Sequence, residues 1–454
     1  MSTSNYLCLD IGSTFTKAAL VSDDGELLGV RETPTSVHPD VLDGCRFLAA
    51  QLGAEPDTHT LACSSAGGGL RLGVVGYERQ VTAEAGYRVG LSAGAKVVHV
   101  AARSLDHAAV QALDRSEPDL VLLVGGTDGG NADVLRHNAS RLAEATLGRP
   151  VVVAGNVDVR DEVAAMLREA GQPVVLADNV VPEIGVLAPE SARAAIRAAF
   201  LEHVIGGKGL SADPSFRQQV RAPTPDAVLR GVEELASLVD GDVLVVDVGG
   251  ATTDVYSSLS SLGTEDAPRA EVVAPLPDCR TVEGDLGVRW NAISIVEAAS
   301  RERLPVSSEL PAYASAVAAN PTHLPGGPGE ARLDLQLATI AAVAAIRRHG
   351  RPSSAGQPPR PLGDVALVLA SGGVLRHADR RSVTTLLDAI TGDHGGGWRV
   401  PRSAQTGLDQ AYVLFAVGLL AEDHPRAARA LARRLLDRQR NVHPGRSHMV
   451  VTRK

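Results

Sequence analysis

The chain has 454 residues, too many for one small core, so two or three domains are expected. Its formal net charge of −9 argues against nucleic-acid binding, because nothing would neutralise a run of phosphates. Hydrophobic residues make up 44% and aromatic residues only 3%, which predicts an α/β core filled by Ala, Val, Leu and Gly. The sequence shows neither a signal peptide nor a bilayer-spanning apolar run, so a cytoplasmic location without a membrane partner is expected.

The predicted elements begin with a strand over residues 6–11, a glycine turn and a second strand over residues 16–21. A third, short strand follows the turn at residues 23–25. Two strands joined by a hairpin of small residues differ from a Rossmann opening, in which the first strand leads straight to a helix.

Between about residues 93 and 185 the pattern changes to short Val/Leu runs separated by helical stretches. The runs lie at residues 96–101, 119–124, 150–154 and 173–177. Such runs are typical of parallel strands covered on both faces, so a separate α/β module is predicted. A helix over residues 190–206 is expected to follow, with its apolar side chains on one stripe.

A second strand–turn–strand unit at residues 242–256 repeats the opening of the chain. Pro/Gly/Ser-rich stretches at 321–330 and 351–363 predict exposed loops, and a third strand–glycine unit lies at 364–373. The chain ends in a helix interrupted near Pro425 and a basic tail that is expected to be disordered. Three segments are therefore predicted: a first lobe at 1–92, an inserted α/β module at 93–235 and a second lobe at 236–454.

The first candidate site lies at residues 10–17, where an aspartate ends a strand and a glycine turn follows. The turn glycine lets the backbone approach a ligand, and successive N–H groups can point at phosphate oxygens. The lysine can place its ammonium on a phosphate. An ordinary hairpin would show the same pattern. The predicted phosphate site consists of Asp10, Gly12, Ser13, Thr14, Thr16 and Lys17.

The second candidate site, at residues 246–255, has the same plan of apolar strand, aspartate, glycine turn and hydroxyls. Two such hairpins in one chain are less expected by chance than a single one. Asp10 and Asp247 are predicted to face each other across a cleft as catalytic carboxylates and to hold Mg²⁺ through water. The predicted nucleotide contacts of this hairpin are Gly249, Gly250, Ala251, Thr252, Thr253 and Asp254.

The third candidate site lies at residues 369–375, where a buried strand ends in two glycines. A nucleoside can lie flat against such bare backbone, so Ser371, Gly372 and Gly373 are predicted to contact the nucleotide. Alone this motif is weak, since many strand–helix turns carry glycines. Because it follows the two hairpins in the chain, it is interpreted as part of the same nucleotide site.

The order of these three sites resembles the actin, sugar-kinase and heat-shock ATPase superfamily, with phosphate-1, phosphate-2 and adenosine motifs. Residues 247–254 are similar to phosphate-2 of the seventy-kilodalton chaperones, and Lys17 stands where actin carries a phosphate-contacting lysine. The resemblance implies an α/β actin-like ATPase fold, with two ribonuclease-H-like lobes around a nucleotide cleft and an additional α/β module. The implied cofactors are ATP or ADP and Mg²⁺.

A narrower resemblance covers nearly the whole chain. Residues 63–69, 124–131, 179–185 and 280–287 are similar to the GlmL/MutL family, the accessory protein of adenosylcobalamin-dependent glutamate mutase. The family implies a slow ATPase that acts as a reactivating chaperone and helps the mutase exchange damaged cobalamin. The implied partners are mutase subunits.

Direct cobalamin binding is not expected from the sequence. The pairs Asp106–His107 and Asp393–His394 do not continue into the DxHxxG pattern of base-off cobalamin proteins. The cofactor is therefore expected to belong to the partner enzyme.

Several residues keep more than one interpretation. The loop at 124–131 can bind a ligand, act as a hinge or form a tight structural turn. Glu183 and Glu283 are candidates for holding a hydrolytic water or a metal shell, although a solvated or capping role is the more common one for a glutamate and is favoured here. Arg280 can contact a partner or a phosphate. The cysteines are expected to be buried, reduced thiols: Cys8, Cys45, Cys63 and Cys279.

Three other functions compete with the chaperone hypothesis. A small-molecule kinase on the same fold needs a carboxylate base and a pocket for a hydroxyl substrate. A filament-forming actin homologue would pellet in a nucleotide-dependent way. A hydantoinase-like hydrolase shares a similar opening, but its dinuclear metal ligands are not evident in this sequence.

Overall fold

The computed structural model describes residues 5–36, 40–260, 276–352, 359–396 and 400–442. The chain divides into two compact units. Of the described residues, those within 5–20 and 31–229, together with Leu276, belong to unit 1, and those within 21–30, 230–260 and 277–442 belong to unit 2.

Fifteen strands are present in these ranges and form three sheets of five strands each. The strands are β1 (Asn5–Ile11), β2 (Phe15–Ser22), β3 (Leu27–Pro34), β4 (His59–Ser64), β5 (Arg71–Gly76), β6 (Lys96–Ala102), β7 (Leu120–Leu123), β8 (Val151–Val153), β9 (Val174–Leu176), β10 (Val220–Pro223), β11 (Val243–Val248), β12 (Thr253–Ser258), β13 (Asp278–Glu283), β14 (Leu367–Ser371) and β15 (Gln405–Leu408).

Fifteen α-helices occur in the same ranges. They are α1 (Val41–Leu52), α2 (Thr82–Ser92), α3 (His107–Arg115), α4 (Asp133–Ala145), α5 (Arg160–Glu169), α6 (Glu190–Ala199), α7 (Pro214–Gln219), α8 (Thr224–Ala236), α9 (Ala292–Glu302), α10 (Leu310–Ala319), α11 (Pro328–Gly350), α12 (Gly373–His377), α13 (Arg380–Thr391), α14 (Leu414–Leu420) and α15 (Pro425–Val442). None of the helices in the described ranges is both long and apolar enough to cross a membrane.

Two of the sheets share one strand order. The first sheet runs β10-β4-β1-β2-β3, and the sheet of unit 2 runs β13-β12-β11-β14-β15. In each sheet a hairpin occupies one side and strands parallel to the first hairpin strand occupy the other. The three-residue connection between β1 and β2 is short enough only for an antiparallel pair. The repeat predicted from the sequence is thus a repeat of the sheet. The predicted α/β class, with two sheets of like strand order and an additional α/β sheet, is confirmed, and its assignment to the actin-like superfamily remains a prediction.

The remaining sheet, in unit 1, is entirely parallel and runs β6-β5-β7-β8-β9. One hydrophobic cluster covers one face of it through Leu122 and Val152, and another covers the opposite face through Leu123 and Val153. This double cover explains the uninterrupted Val/Leu runs. The sheet begins at Arg71, earlier than residue 93, where the additional module was expected to start. The three-segment division remains a prediction.

Two sequence expectations need refinement. The helix over 190–206 contains α6, followed by a π-helical turn (Phe200–Val204) and a 3-10 turn (Ile205–Lys208). The loop predicted at 321–330 ends earlier, because α11 begins at Pro328, a position in the first helical turn that proline tolerates. Part of the 351–363 loop, at 353–358, and the basic tail at 443–454 lie outside the described residues.

Candidate nucleotide site

The first turn is built around Gly12, between β1 and β2 in unit 1. The Gly12 N–H donates to the Phe15 carbonyl at 3.1 Å and closes the turn. A Cβ at Gly12 would lie 2.6 Å from that oxygen, so no other residue fits without a shift. Ser13 is exposed and Thr14 half-buried at the tip. The local sequence therefore forces a tight, accessible turn directly after Asp10.

Asp10 is 2% exposed at the end of β1. The Thr224 hydroxyl donates to Asp10 Oδ1 at 2.6 Å, and Lys17 Nζ lies 3.8 Å from Oδ2. Parallel pairing of β1 with β4 places Cys63 opposite Asp10, with Sγ 3.7 Å from Oδ1. Burial, and then the Asp10 charge, raise the pKa of the Cys63 thiol well above its usual range. The carboxylate is thus held by a hydroxyl and faces one cation and one neutral thiol.

The second turn, between β11 and β12 in unit 2, has the same geometry. Its Gly249 N–H donates to the Thr252 carbonyl at 2.9 Å, and a Cβ at Gly249 would lie 2.8 Å from that oxygen. Asp247 precedes Gly249 by two residues, as Asp10 precedes Gly12. The two predicted phosphate hairpins are therefore structural equivalents, each described within its own unit.

The segment after β13 supports the second turn. Backbone N–H groups of Val288 and Arg289 donate to the carbonyls of Gly249 and Gly250 at 3.1 and 2.9 Å, and Asn291 Nδ2 donates to Ala251 O at 2.9 Å. A Cβ at Gly287 would lie 2.3 Å from the Ala251 backbone, so this glycine permits the contact. The family-like motif at 280–287 thus leads into a segment whose hydrogen bonds fix the turn.

Some predicted contacts point into the fold. Thr16 and Thr253 are fully buried, and their hydroxyls bond Thr35 Oγ1 at 3.1 Å and Leu286 O at 2.7 Å. Both oxygens of Asp254 are engaged: Arg280 Nε donates to Oδ1 and the Thr252 hydroxyl to Oδ2, each at 2.8 Å. Nucleotide contacts by these side chains remain predictions, and the structure gives them positioning contacts.

Arg280 is 4% exposed and bonds Tyr256 as well as Asp254. Burial lowers the pKa of the guanidinium, but the charges of Asp254 and Tyr256 and the hydrogen bonds to both together raise that pKa above its ordinary value. Arg280 therefore anchors β13 to β12 beneath the turn, and its hypothesised partner or phosphate contact remains a prediction.

The third motif lies beside the second turn. In the parallel pair of β11 and β14, Ser371 is the register partner of Asp247. Gly372 has φ +119°, and a Cβ there would lie 2.2 Å from Val248 O, so only glycine allows this approach. Ser371 is buried, and its Oγ has no hydrogen-bond partner among the described residues. Gly373 begins α12. The structure thus brings Asp247, Ser371 and Gly372 together.

Two residues that the sequence analysis did not identify contact the aspartates of these motifs. Thr224 begins α8 and reaches Asp10 across 214 positions of sequence. A threonine before Pro225 is a recognisable helix start, but nothing in the sequence links it to Asp10. Tyr412, at φ +52°, places its hydroxyl 3.4 Å from Asp247 Oδ2, and the Arg376 guanidinium lies 5.7 Å from its ring centroid. An aromatic ring and a cation therefore stand beside the third motif.

The loop at 124–131 forms part of a fixed network at the carboxyl edge of the parallel sheet. Asp128 Oδ1 accepts from the Val157 N–H at 3.1 Å and from Asn179 Nδ2 at 2.8 Å, and the same amide donates to Gly126 O at 2.9 Å. These bonds join the loops after β7, β8 and β9, which favours the structural-turn interpretation. Glu183 is exposed on the last of them.

Glu283 and Asp285 share one guanidinium. Arg348 Nη1 lies 2.7 Å from Glu283 Oε2 and 2.6 Å from Asp285 Oδ1. Burial raises the pKa of Glu283 despite this bond, whereas the Arg348 bond lowers the pKa of the more exposed Asp285. Glu283 therefore lies in an ion-pair cluster, and its water- or metal-binding role remains a prediction.

The two Asp–His pairs and the cysteines have structural surroundings. Asp106 caps α3 by accepting from the Ala109 N–H at 2.7 Å, and Asp393 forms two bonds with Arg347. All four cysteines are free thiols, as predicted; Cys8, Cys45 and Cys63 are buried, whereas Cys279 is half-buried.

A family model and a curated relative point to the same family. A family model described as MutL protein matches residues 6–436. Protein MutL of Clostridium tetanomorphum is 35% identical, over 95% of this chain and 99% of that protein. Two solved structures are more distant. Nucleotide-free acetone carboxylase is 14% identical at TM-score 0.39, over 92% of this chain and 70% of that one. (R)-2-hydroxyglutaryl-CoA dehydratase component A of Acidaminococcus fermentans is 10% identical at TM-score 0.33, over 94% and 99%.

The family model spans most of the chain, and the MutL relative aligns over nearly its full length. The family resemblance that the four sequence segments indicated is confirmed, and the chain belongs to the MutL protein family.

Proposed function

We propose that this protein is an ATP-dependent reactivating chaperone of an adenosylcobalamin-dependent mutase of the glutamate mutase type. One observation carries the nucleotide part: the Asp–x–Gly turn is repeated, with the same closing hydrogen bond, on two sheets of the same strand order. The mutase part is supported by family membership together with the resemblance to the glutamate mutase accessory protein. ATP is the cofactor of this chain, cobalamin belongs to the partner, and the reaction takes place in the cytoplasm.

The residues at the turns fit a Mg–ATP group. Gly12 and Gly249 let the two turns close on the Phe15 and Thr252 carbonyls, and the buried Ser371 Oγ has an unmet hydrogen-bonding capacity beside Asp247. Within the described ranges, no group of three or more His, Cys, Asp or Glu side chains is placed to hold a metal ion. Mg²⁺ bound with a nucleotide needs only one or two carboxylates, because phosphates and waters complete its shell.

Each residue has a defined task in this proposal. Backbone N–H groups of Ser13 and Thr14 would donate to phosphate oxygens at the first turn, and those of Gly250 and Ala251 would do the same at the second. Lys17 would add a positive charge. Asp10 and Asp247, each at its own turn, would orient water or metal-bound water, and Thr224 holds Asp10 in place. When bound, ATP would supply a phosphoryl group for transfer to water.

The nucleotide controls the mutase through a difference in affinity. A nucleotide shifts a conformational equilibrium only by its preference for one state, and a shift from 1:99 to 99:1 needs about 5.5 kcal/mol. ATP and ADP therefore have to favour different states of the protein, and the mutase has to bind one of them better.

The test measures phosphate release by the purified protein, and recovery of a turnover-inactivated mutase supplied with fresh coenzyme. We expect both to require ATP, and both to be lost in Asp10→Asn and Asp247→Asn, while thermal unfolding shows that each variant still folds cooperatively. Asp133→Asn is the matched control, because that side chain is 93% exposed on α4. Full turnover in either site variant would reject the site.

The same assay separates the competing functions. ATP consumption that depends on a sugar or acid acceptor would indicate the kinase, and nucleotide-dependent pelleting would indicate the filament-forming class. Hydrolysis without mutase recovery would keep the ATPase and reject the chaperone.

A further inference from the structure

Unit 2 contains a cavity of about 260 Å³, separate from the residues of the proposed nucleotide site. Its walls are largely apolar and come from α13, β15 and α15. The main wall residues are Val383, Leu387, Leu408, Leu431 and Leu435. Ligand pockets for drug-sized molecules typically span ~300–1,000 Å³, so this cavity suits a smaller apolar body.

The rim of the cavity carries three arginines, Arg380, Arg434 and Arg438. Arg434 lies 3.6 Å from Asp24, but both side chains are about half-exposed, so this pair is weak. Arg438 is exposed, and no residue in the described ranges bonds or pairs with it. The rim therefore offers cationic donors to a ligand.

The sequence of α15 strengthens this charge. The helix contains six arginines and one aspartate, although the whole chain has a formal net charge of −9. A basic helix in an acidic protein selects anions by attraction at short range.

The floor of the cavity disfavours an extended peptide. The Gln439 side chain accepts from the Leu408 N–H at 3.0 Å and donates to the Leu408 carbonyl at 2.9 Å. A Cβ at Gly407 would lie 2.5 Å from the same amide oxygen, so glycine is needed there. Because these backbone groups of β15 are occupied, an added strand would find no partners at Leu408.

The chain's own C-terminal segment also fits poorly by charge. Residues 443–454 contain Arg446, Arg453 and Lys454 and no acidic residue. The arginine rim would repel such a segment.

We propose that this cavity binds a small carboxylate or phosphate that carries an apolar body. The apolar part fills the space between α13 and α15, and the anionic group bonds Arg438 at the rim. Guanidinium groups form charge-assisted hydrogen bonds with both kinds of anion.

The cavity borders the segment that touches Asp247. Ala411 and Val413 line it, and Tyr412 between them bonds Asp247 through its hydroxyl. Occupancy is therefore expected to change the affinity for ADP, and ADP must change ligand affinity by the same factor. This coupling rests on the proposed function, whereas the site itself does not.

The experiment measures binding of octanoate, octyl phosphate and neutral octanol to the full-length protein by calorimetry at low ionic strength. Octanoate and octyl phosphate are expected to bind more tightly than octanol, and their relative affinities identify the preferred anion. Arg438→Ala should weaken both anions about threefold to tenfold and leave octanol unchanged. Arg426→Ala is the matched control: it removes the same charge from α15 about 18 Å away and does not line the cavity.

A second pair of variants tests the apolar body. Thr384→Trp fills the cavity and should abolish binding, whereas Thr385→Trp, at the next exposed position of α13, should not. Thermal unfolding checks that both variants fold. Equal binding of octanoate and octanol, or octanoate binding unaffected by Arg438→Ala and Thr384→Trp, would overturn the site. Octanoate affinity that is identical with and without ADP would reject only the coupling.

Discussion

Replacement of Thr224 by valine tests how the Asp10 carboxylate is held. Valine has nearly the same shape, so the change removes the 2.6 Å hydrogen bond without opening a cavity. Hydrogen bonds to charged groups contribute about 1.5–3 kcal/mol, and Asp10 is too buried for water to replace the donor fully. The remaining neighbours of Asp10, Lys17 Nζ at 3.8 Å and Cys63 Sγ at 3.7 Å, are longer and weaker. We therefore expect a loss of about 2 kcal/mol in the free energy of unfolding.

Urea unfolding of wild type, Thr224→Val and Thr224→Ser measures this loss. Serine keeps the hydroxyl, so it should recover most of the stability that valine loses. ATP turnover should fall about tenfold in the valine variant if a mobile Asp10 raises the barrier by about 1.4 kcal/mol. A valine variant within about 0.5 kcal/mol of wild type would refute the reasoning, because the hydroxyl would then contribute no more than an ordinary surface contact.

The remaining predictions concern charge at three positions. Arg280→Met leaves the buried Asp254 carboxylate without its cation and should destabilise the protein by about 3–5 kcal/mol in urea unfolding; a smaller loss than 1 kcal/mol would show that water replaces the arginine. Burial, and then the charge of Arg360, lower the pKa of His349 well below its ordinary value. Below about pH 6.5 the unfolded chain therefore binds a proton on His349, whereas the folded state does not. Stability should therefore fall towards acid with a slope approaching about 1.4 kcal/mol per pH unit, and His349→Gln should remove that component; parallel stability–pH curves for the two proteins would contradict it. Lys17→Ala should weaken nucleotide affinity about tenfold while changing unfolding by less than about 1 kcal/mol, and an unchanged dissociation constant would remove Lys17 from the site.

The sequence was a good guide where one short segment contains its own physical reason. The turn after Asp10 requires glycine because the next carbonyl would meet a Cβ, and the turn after Asp247 has the same requirement. Doubly covered parallel strands need apolar residues on both faces, so β7 and β8 were visible as Val/Leu runs.

Sequence patterns did not predict structure where tertiary packing, and not local conformational preference, requires a particular residue. The strand β5 was missed because Gly73 and Gly76 interrupt its apolar run. A Cβ at Gly73 would lie 2.5 Å from Leu113, and one at Gly76 would lie 2.7 Å from Ala83. These glycines are required because neighbouring helices pack against them, and the sequence of the strand alone does not indicate such packing.

The three glycine motifs, their order and the family to which they point can be recognised without a structure, because backbone conformation and turn chemistry are encoded locally. The side chains that surround the two aspartates depend instead on tertiary packing. Thr224 reaches Asp10 through the pairing of distant strands, and Tyr412 reaches Asp247 from the segment after β15. The two hairpins share one plan but differ at one equivalent position. Lys17 of the first hairpin lies beside Asp10, whereas its equivalent in the second, Asp254, is bonded by Arg280. Such contacts join residues far apart in the chain, so they depend on how the sheets are assembled and have no signature in the local sequence.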